Sequence, residues 1–147
     1  MRMSPAKHLS LIDPILGAAI SQIKIDENRK PNKNHFRSLV ESIVSQQLSV
    51  KASDTIFARF VELFVKSGAI KTARSFPKPD QILKMSDARL RKVGLSGSKV
   101  KYIKDLSHKV HEKEVQLNRL HKMNDEEVIE HLVQVKGIGR WTGEMFL

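Results

Sequence analysis

The sequence predicts an all-α fold, a multi-helix bundle of about eight to ten helices, on three observations. Apolar residues return at i, i+3, i+4 and i+7 in one segment after another, which is the spacing of a helix face. Alternating apolar and polar runs of strand length are absent, as are hairpin dipeptides between such runs. Proline, glycine, serine, aspartate and asparagine stand where one stripe ends and the next begins.

Composition sets the frame. The 147 residues are about one domain's worth of chain, and residues 1–147 are expected to form a single helical domain. Lys and Arg number 26 against 16 Asp and Glu, a net charge of +10, which points to a polyanionic partner. An anionic membrane is the other candidate of that kind. No apolar run approaches the roughly 18 residues of a spanning helix, and no signal peptide or lipidation motif is evident, so no membrane partner is expected. There are no cysteines. That excludes disulfides, thiol catalysis, zinc–cysteine sites and a cysteine-held iron–sulfur cluster within these residues. No metal and no small-molecule cofactor are expected.

The elements follow in order. Met1 to Ser10 read as a loose lead-in. Asp13 caps a helix whose first position suits Pro14, with Ile15, Leu16, Ala19, Ile20 and Ile23 on its stripe. Asp26 to Asn34 is a polar connector. His35 to Leu48 is a strong helix striped by Phe36, Leu39, Val40, Ile43, Val44 and Leu48. Gln47 continues that stripe, where an amide is costly unless partnered; an exposed helix end feeding a loop is one explanation. Ser53 to Val65 turns Ile56, Phe57, Phe60, Val61 and Phe64 inward, as core rather than pocket. Lys66 to Pro79 is a basic connector. Short helices follow at Asp80 to Lys84 and, capped by Ser86, through Val93. Gly94-Leu95-Ser96-Gly97 punctuates the chain before an amphipathic helix carrying Val100, Ile103, Leu106 and Val110. Val115, Leu117 and Leu120 suggest one more short helix.

The last two dozen residues, 124–147, carry the most specific pattern. Asn124 is an N-cap with Glu127 three residues on, as in a capping box. Val128, Ile129, Leu132 and Val133 form the stripe. Gly137-Ile138-Gly139 then breaks the helix, and another starts near Arg140. Both glycines can take φ > 0 and allow another backbone to approach, while Ile138 anchors the turn in the core. This is a helix-hairpin-helix. Its turn and the following helix N-terminus present unpaired N–H groups suited to a DNA phosphate. The alternative is an ordinary αα-corner with a glycine C-cap.

Val135 to Leu147, with Gly137-Ile138-Gly139-Arg140-Trp141-Thr142, resembles the hairpin of the helix-hairpin-helix DNA glycosylases. It is most similar to the alkylation-repair branch, the 3-methyladenine DNA glycosylase II family. The lyase-competent branch, similar to endonuclease III, places a catalytic lysine where this chain has Trp141. A second anchor, Ser45-Gln46-Gln47-Leu48-Ser49-Val50-Lys51-Ala52, resembles the family's DNA-probing loop. Gly94-Leu95-Ser96, Lys99 and Tyr102-Ile103 follow the family's order as well.

The resemblance implies an enzyme of base excision repair that flips alkylated, 3-methyladenine-like bases out of double-stranded DNA and removes them by monofunctional hydrolysis of the N-glycosidic bond. It implies that Gln47, with Gln46 beside it, is the wedge that fills the gap left by the flipped nucleotide. Gly137, Ile138 and Gly139 would bind phosphate through their N–H groups, joined by Arg140, Thr142, Ser49, Lys51 and Lys99. For Lys99 a solvated basic face is the other reading. Trp141 and Met145 would line the base pocket, where an aromatic face suits a cationic base; packing within the hairpin is the alternative for Trp141. The family's catalytic aspartate lies downstream of the helix that starts at Arg140, and no residue through Leu147 matches it. The chain is therefore expected to be the amino-terminal part of such an enzyme, inactive by itself, with Leu11 to Ile23 short of cover. The complete protein is expected to be a monomer, intracellular and with the DNA, in nucleoid or nucleus. Two rivals stand beside this reading: a non-catalytic helix-hairpin-helix DNA-binding module, and a basic protein–protein adaptor.

Overall fold

Ser4 and Pro5 open the first helix by the same physics as Asp13 and Pro14 open the second. The Ser4 hydroxyl accepts from the Lys7 N–H at 3.3 Å. The Asp13 carboxylate accepts from Ile15 and Leu16 at 2.9 and 3.1 Å, and proline suits the first helical position because it has no N–H to leave unpaired. The expected loose lead-in is thus helical from Pro5 onward, giving α1 (Pro5–Ile12) and α2 (Pro14–Gln22). A computed structural model describes residues 4–23 and 34–147, which fall in two compact units, Met1–Lys33 and Asn34–Leu147. The expected connector from Asp26 lies, as far as Lys33, outside the described residues. In the first unit, α2 has no buried residue, and Leu11, Ile12, Ile15 and Ile23 are exposed.

The second unit is built on α3 (His35–Ser45), which packs against α4 (Val50–Lys66), α7 (Gly97–His111) and α9 (Arg140–Phe146). Between them run α5 (Pro79–Lys84) and α6 (Asp87–Lys92), both on α7, then a 3₁₀ turn at Leu117–Lys122 and α8 (Asp125–Leu132), which packs on α9. No strand occurs among the described residues. The apolar stripe of α3 is buried, with Phe36, Leu39, Val40, Ile43 and Val44 all in the core. Phe60 and Phe64 of α4 are fully buried against it, as are Ile103 and Leu106 of α7. Truncating a core Phe of this kind to Ala typically costs about 3–5 kcal/mol.

Helix starts follow local rules. Asn124 and Glu127 form the expected reciprocal capping box, at 3.0 and 2.8 Å. Ser86 and Ser96 cap α6 and α7. One helix end departs from the sequence reading. α3 stops at Ser45, three residues before Leu48. Gln46 turns to an extended ψ of 127°, and Gln47 takes φ 56° in the left-handed region. Gln47 therefore sits at the exposed tip of the α3–α4 loop and does not continue the buried stripe. Ser49 then caps α4, which starts at Val50 instead of Ser53.

Candidate nucleic-acid interface

The α3–α4 loop and the α8–α9 hairpin come together over the start of α7. Gln46 donates its side-chain N–H to the Gly137 carbonyl at 2.8 Å, across 91 residues of sequence. Beneath the loop, the Lys99 ammonium donates to the carbonyls of Val44 and Gln46, at 2.6 and 2.8 Å. These are carbonyls at the end of a helix that lack partners within it, and a lysine there also answers the negative end of the helix dipole. Residues of α7 also hold the hairpin. Asp105 accepts the Lys136 N–H at 2.9 Å, and the Tyr102 ring lies so close to Gly137 that an added Cβ would collide with it.

This docking leaves a cleft of about 480 Å³ between loop and hairpin, lined by Gln46, Gln47, Lys99, Tyr102, Trp141 and Thr142 among others. Trp141 is 72% exposed and lines the cleft. Thr142 is buried, with only 8% of its surface open. Met145 is exposed but does not line the cleft. It follows Trp141 one turn later in α9.

The two hairpin glycines have different jobs. Gly137 has φ 81° and abuts an aromatic ring, where the sequence suggested a neighbouring backbone. Gly139 is the N-cap of α9 with an ordinary φ of −91°, not a positive one. A Cβ there would meet nothing within 4 Å. Ile138 is buried, as expected of the turn's anchor. Its N–H, however, is taken by the Val135 carbonyl at 3.1 Å, so it is not available to a phosphate. Among the described residues, no acceptor within the chain is found for the N–H groups of Gly137, Gly139, Arg140, Trp141 or Thr142.

Several expected contact residues are engaged by the chain itself. Lys99 has two of its three N–H donors on the Val44 and Gln46 carbonyls, and burial pushes its pKa below the ordinary lysine value. The Arg140 guanidinium forms a two-point pair with Glu126, at 2.6 and 2.7 Å, and donates its Nε–H to Glu144 at 3.0 Å. It ties α8 to α9, its charge is offset by two carboxylates, and its pKa is raised by Glu126. The Ser49 hydroxyl caps α4 at the Ala52 N–H, 3.4 Å away. Gln46 ties the loop to the hairpin through one side-chain N–H. Lys51, exposed in the first turn of α4, has no ion pair among the described residues. Sequence reasoning did not identify Asp105 or Tyr102 as hairpin supports. Tyr102 was legible as part of a motif, but nothing local marks Asp105. Among the described residues no cluster of side chains fits a metal ion.

The fold and the cleft define an all-α helix-hairpin-helix protein in which a glutamine-tipped loop faces the hairpin. The chain belongs to the HhH-GPD superfamily of base excision DNA repair proteins, whose pattern it matches over residues 40–143. It is 33% identical over 131 residues to DNA-3-methyladenine glycosylase 1 of Schizosaccharomyces pombe, covering 85% of this chain and 54% of that protein. It is 37% identical over 146 residues to the DNA-3-methyladenine glycosylase of Saccharomyces cerevisiae, covering 91% and 46%. The solved S. pombe 3-methyladenine DNA glycosylase in complex with abasic DNA superposes with a TM-score of 0.80 at 31% identity, over 95% of this chain and 66% of that one. A Bacillus halodurans DNA-3-methyladenine glycosidase gives 0.74 at 34%, over 99% and 65%. The chain spans about half the length of these two curated yeast relatives.

Proposed function

We propose that this chain grips damaged duplex DNA and everts an alkylated, 3-methyladenine-like base, as part of a monofunctional base-excision DNA glycosylase. One observation carries the reading: Gln47 and Trp141, far apart in sequence, line a single cleft. Gln47 is the wedge. Its amide is flat, it can hydrogen-bond the orphaned base, and its insertion offsets part of the few kcal/mol that unstacking costs. Its left-handed backbone is the kind of strain found where a side chain must be aimed. Trp141 presents an indole face to the everted base. A base alkylated at N3 or N7 is cationic, so stacking and cation–π attraction add roughly 0.5–2 kcal/mol there. The unpaired N–H groups at Gly137 and Gly139, with those of the first turn of α9, receive a phosphate. The open space over Gly139 lets it come close.

Alkylation has already made the base a good leaving group. What remains is an oxocarbenium-like sugar to stabilise and a water to activate, both suited to a carboxylate. No acid among these residues is assigned that task. Glu144, the one acid after the hairpin, is paired with Arg140. The chain's own contribution is binding, bending and base capture on intracellular DNA, and the complete protein works as a monomer. Liberation of free 3-methyladenine from methylated duplex, followed by chromatography, tests the reading. Tight duplex binding with no base released, by this chain or any longer form of it, assigns the chain to the non-catalytic module instead.

A further inference from the structure

Beside the cleft lies a shallow depression of about 590 Å³, lined by Ala88, Arg91, Lys92, Gly94, Leu95 and Ser96. Ser96 lines both the depression and the cleft. Ala88, Arg91 and Lys92 stand at i, i+3 and i+4, which is one face of α6. A methyl side chain therefore sits one turn behind two cations and leaves the space before them open. Arg91 and Lys92 are exposed, and neither has an ion pair or side-chain hydrogen bond among the described residues. The one acid of α6, Asp87, is held by Lys104, so it does not offset them. Gly94, at φ 108°, turns the chain so that Leu95 is buried. Cations at a helix C-terminus also answer the helix dipole. That role needs no depression beside them.

We infer that Arg91 and Lys92 hold the phosphate backbone of the duplex on the flank of the cleft, as an anchor separate from the hairpin. The inference rests on duplex DNA being the partner of the cleft. Two cations on two phosphates release condensed counterions, so their signature is a salt slope. The test is the affinity for undamaged duplex across a salt series, for the natural chain and three variants. Arg91→Ala/Lys92→Ala reduces the slope of log Kd against log salt by about 1–2, or about 0.9 for each phosphate no longer neutralised. Arg91→Lys/Lys92→Arg keeps the slope. Lys71→Ala/Arg74→Ala removes the same charge from exposed positions of the α4–α5 connector and also leaves the slope unchanged. Both Ala variants stay folded, because the residues are exposed. A slope unchanged in the Arg91→Ala/Lys92→Ala chain, or an equal fall in the connector variant, overturns the inference while the DNA reading stands. A natural chain that binds no duplex, or binds it without salt dependence, overturns both.

Discussion

A methyl group added at Gly137 meets the Tyr102 ring and a left-handed backbone, whereas the same methyl at Gly139 meets open space. Gly137→Ala is therefore expected to lower stability by about 1–3 kcal/mol, from the left-handed strain and the displaced ring. Gly139→Ala should cost less than about 1 kcal/mol, the loss of a modest N-cap, yet weaken duplex binding by crowding the phosphate. Denaturant midpoints and a duplex titration separate the two; equal stability losses at both positions would contradict the assignment. Arg140 supplies a second test at this scale. Its hydrogen bond to Glu126 holds that carboxyl below the ordinary glutamate value. A carboxylate with a depressed folded-state pKa adds stability that is full above its unfolded pKa and lost as pH falls through the folded one. The melting difference between the natural chain and Arg140→Met should thus be present at neutral pH and fade in acid. A difference that persists once Glu126 is protonated would argue that the pair is not its source.

At the scale of elements, the end of α3 decides how the cleft is shaped. Lys99 holds the Val44 and Gln46 carbonyls, and Gln46 in turn holds the hairpin. Hydrogen bonds from a charged donor contribute about 1.5–3 kcal/mol each. Lys99→Met is accordingly predicted to destabilise the chain by about 1–3 kcal/mol, less than the sum because water replaces part of the loss. It should also speed amide exchange at Leu48, whose N–H is bonded to the Ser45 carbonyl; unchanged exchange there would deny Lys99 its capping role. Helix starts were legible in the sequence because they are local. Asp13 with Pro14, Ser86, and Asn124 with Glu127 each satisfy N–H groups two or three residues away. The end of α3 was not legible, because Gln47 and Leu48 keep helical spacing and the groups that stop the helix sit on α7. The same holds for the bond from Lys136 to Asp105. A single carboxylate on an amphipathic helix carries no mark of what it will meet. The Gly137-to-Thr142 string and the glutamine pair were readable as motifs. Which glutamine ties down the hairpin, and which is left at the tip, depended on the tertiary placement of Gly137.

Across the whole molecule, the net charge of +10 and the HhH-GPD match over residues 40–143 both accord with a polyanionic partner. Lys51, in the first turn of α4, is exposed. Arg140, by contrast, is neutralised by its own carboxylates, so binding on this account relies on backbone N–H groups and outlying cations more than on the arginine nearest the turn. The central claim is that Gln47 fills a gap in a duplex gripped by the hairpin. The direct measurement compares binding to a duplex with an abasic site and to the same duplex intact, for the natural chain and Gln47→Ala. The natural chain should prefer the abasic duplex, and Gln47→Ala should abolish that preference while leaving affinity for the intact duplex unchanged. Equal losses on both duplexes, or no preference in the natural chain, would contradict it.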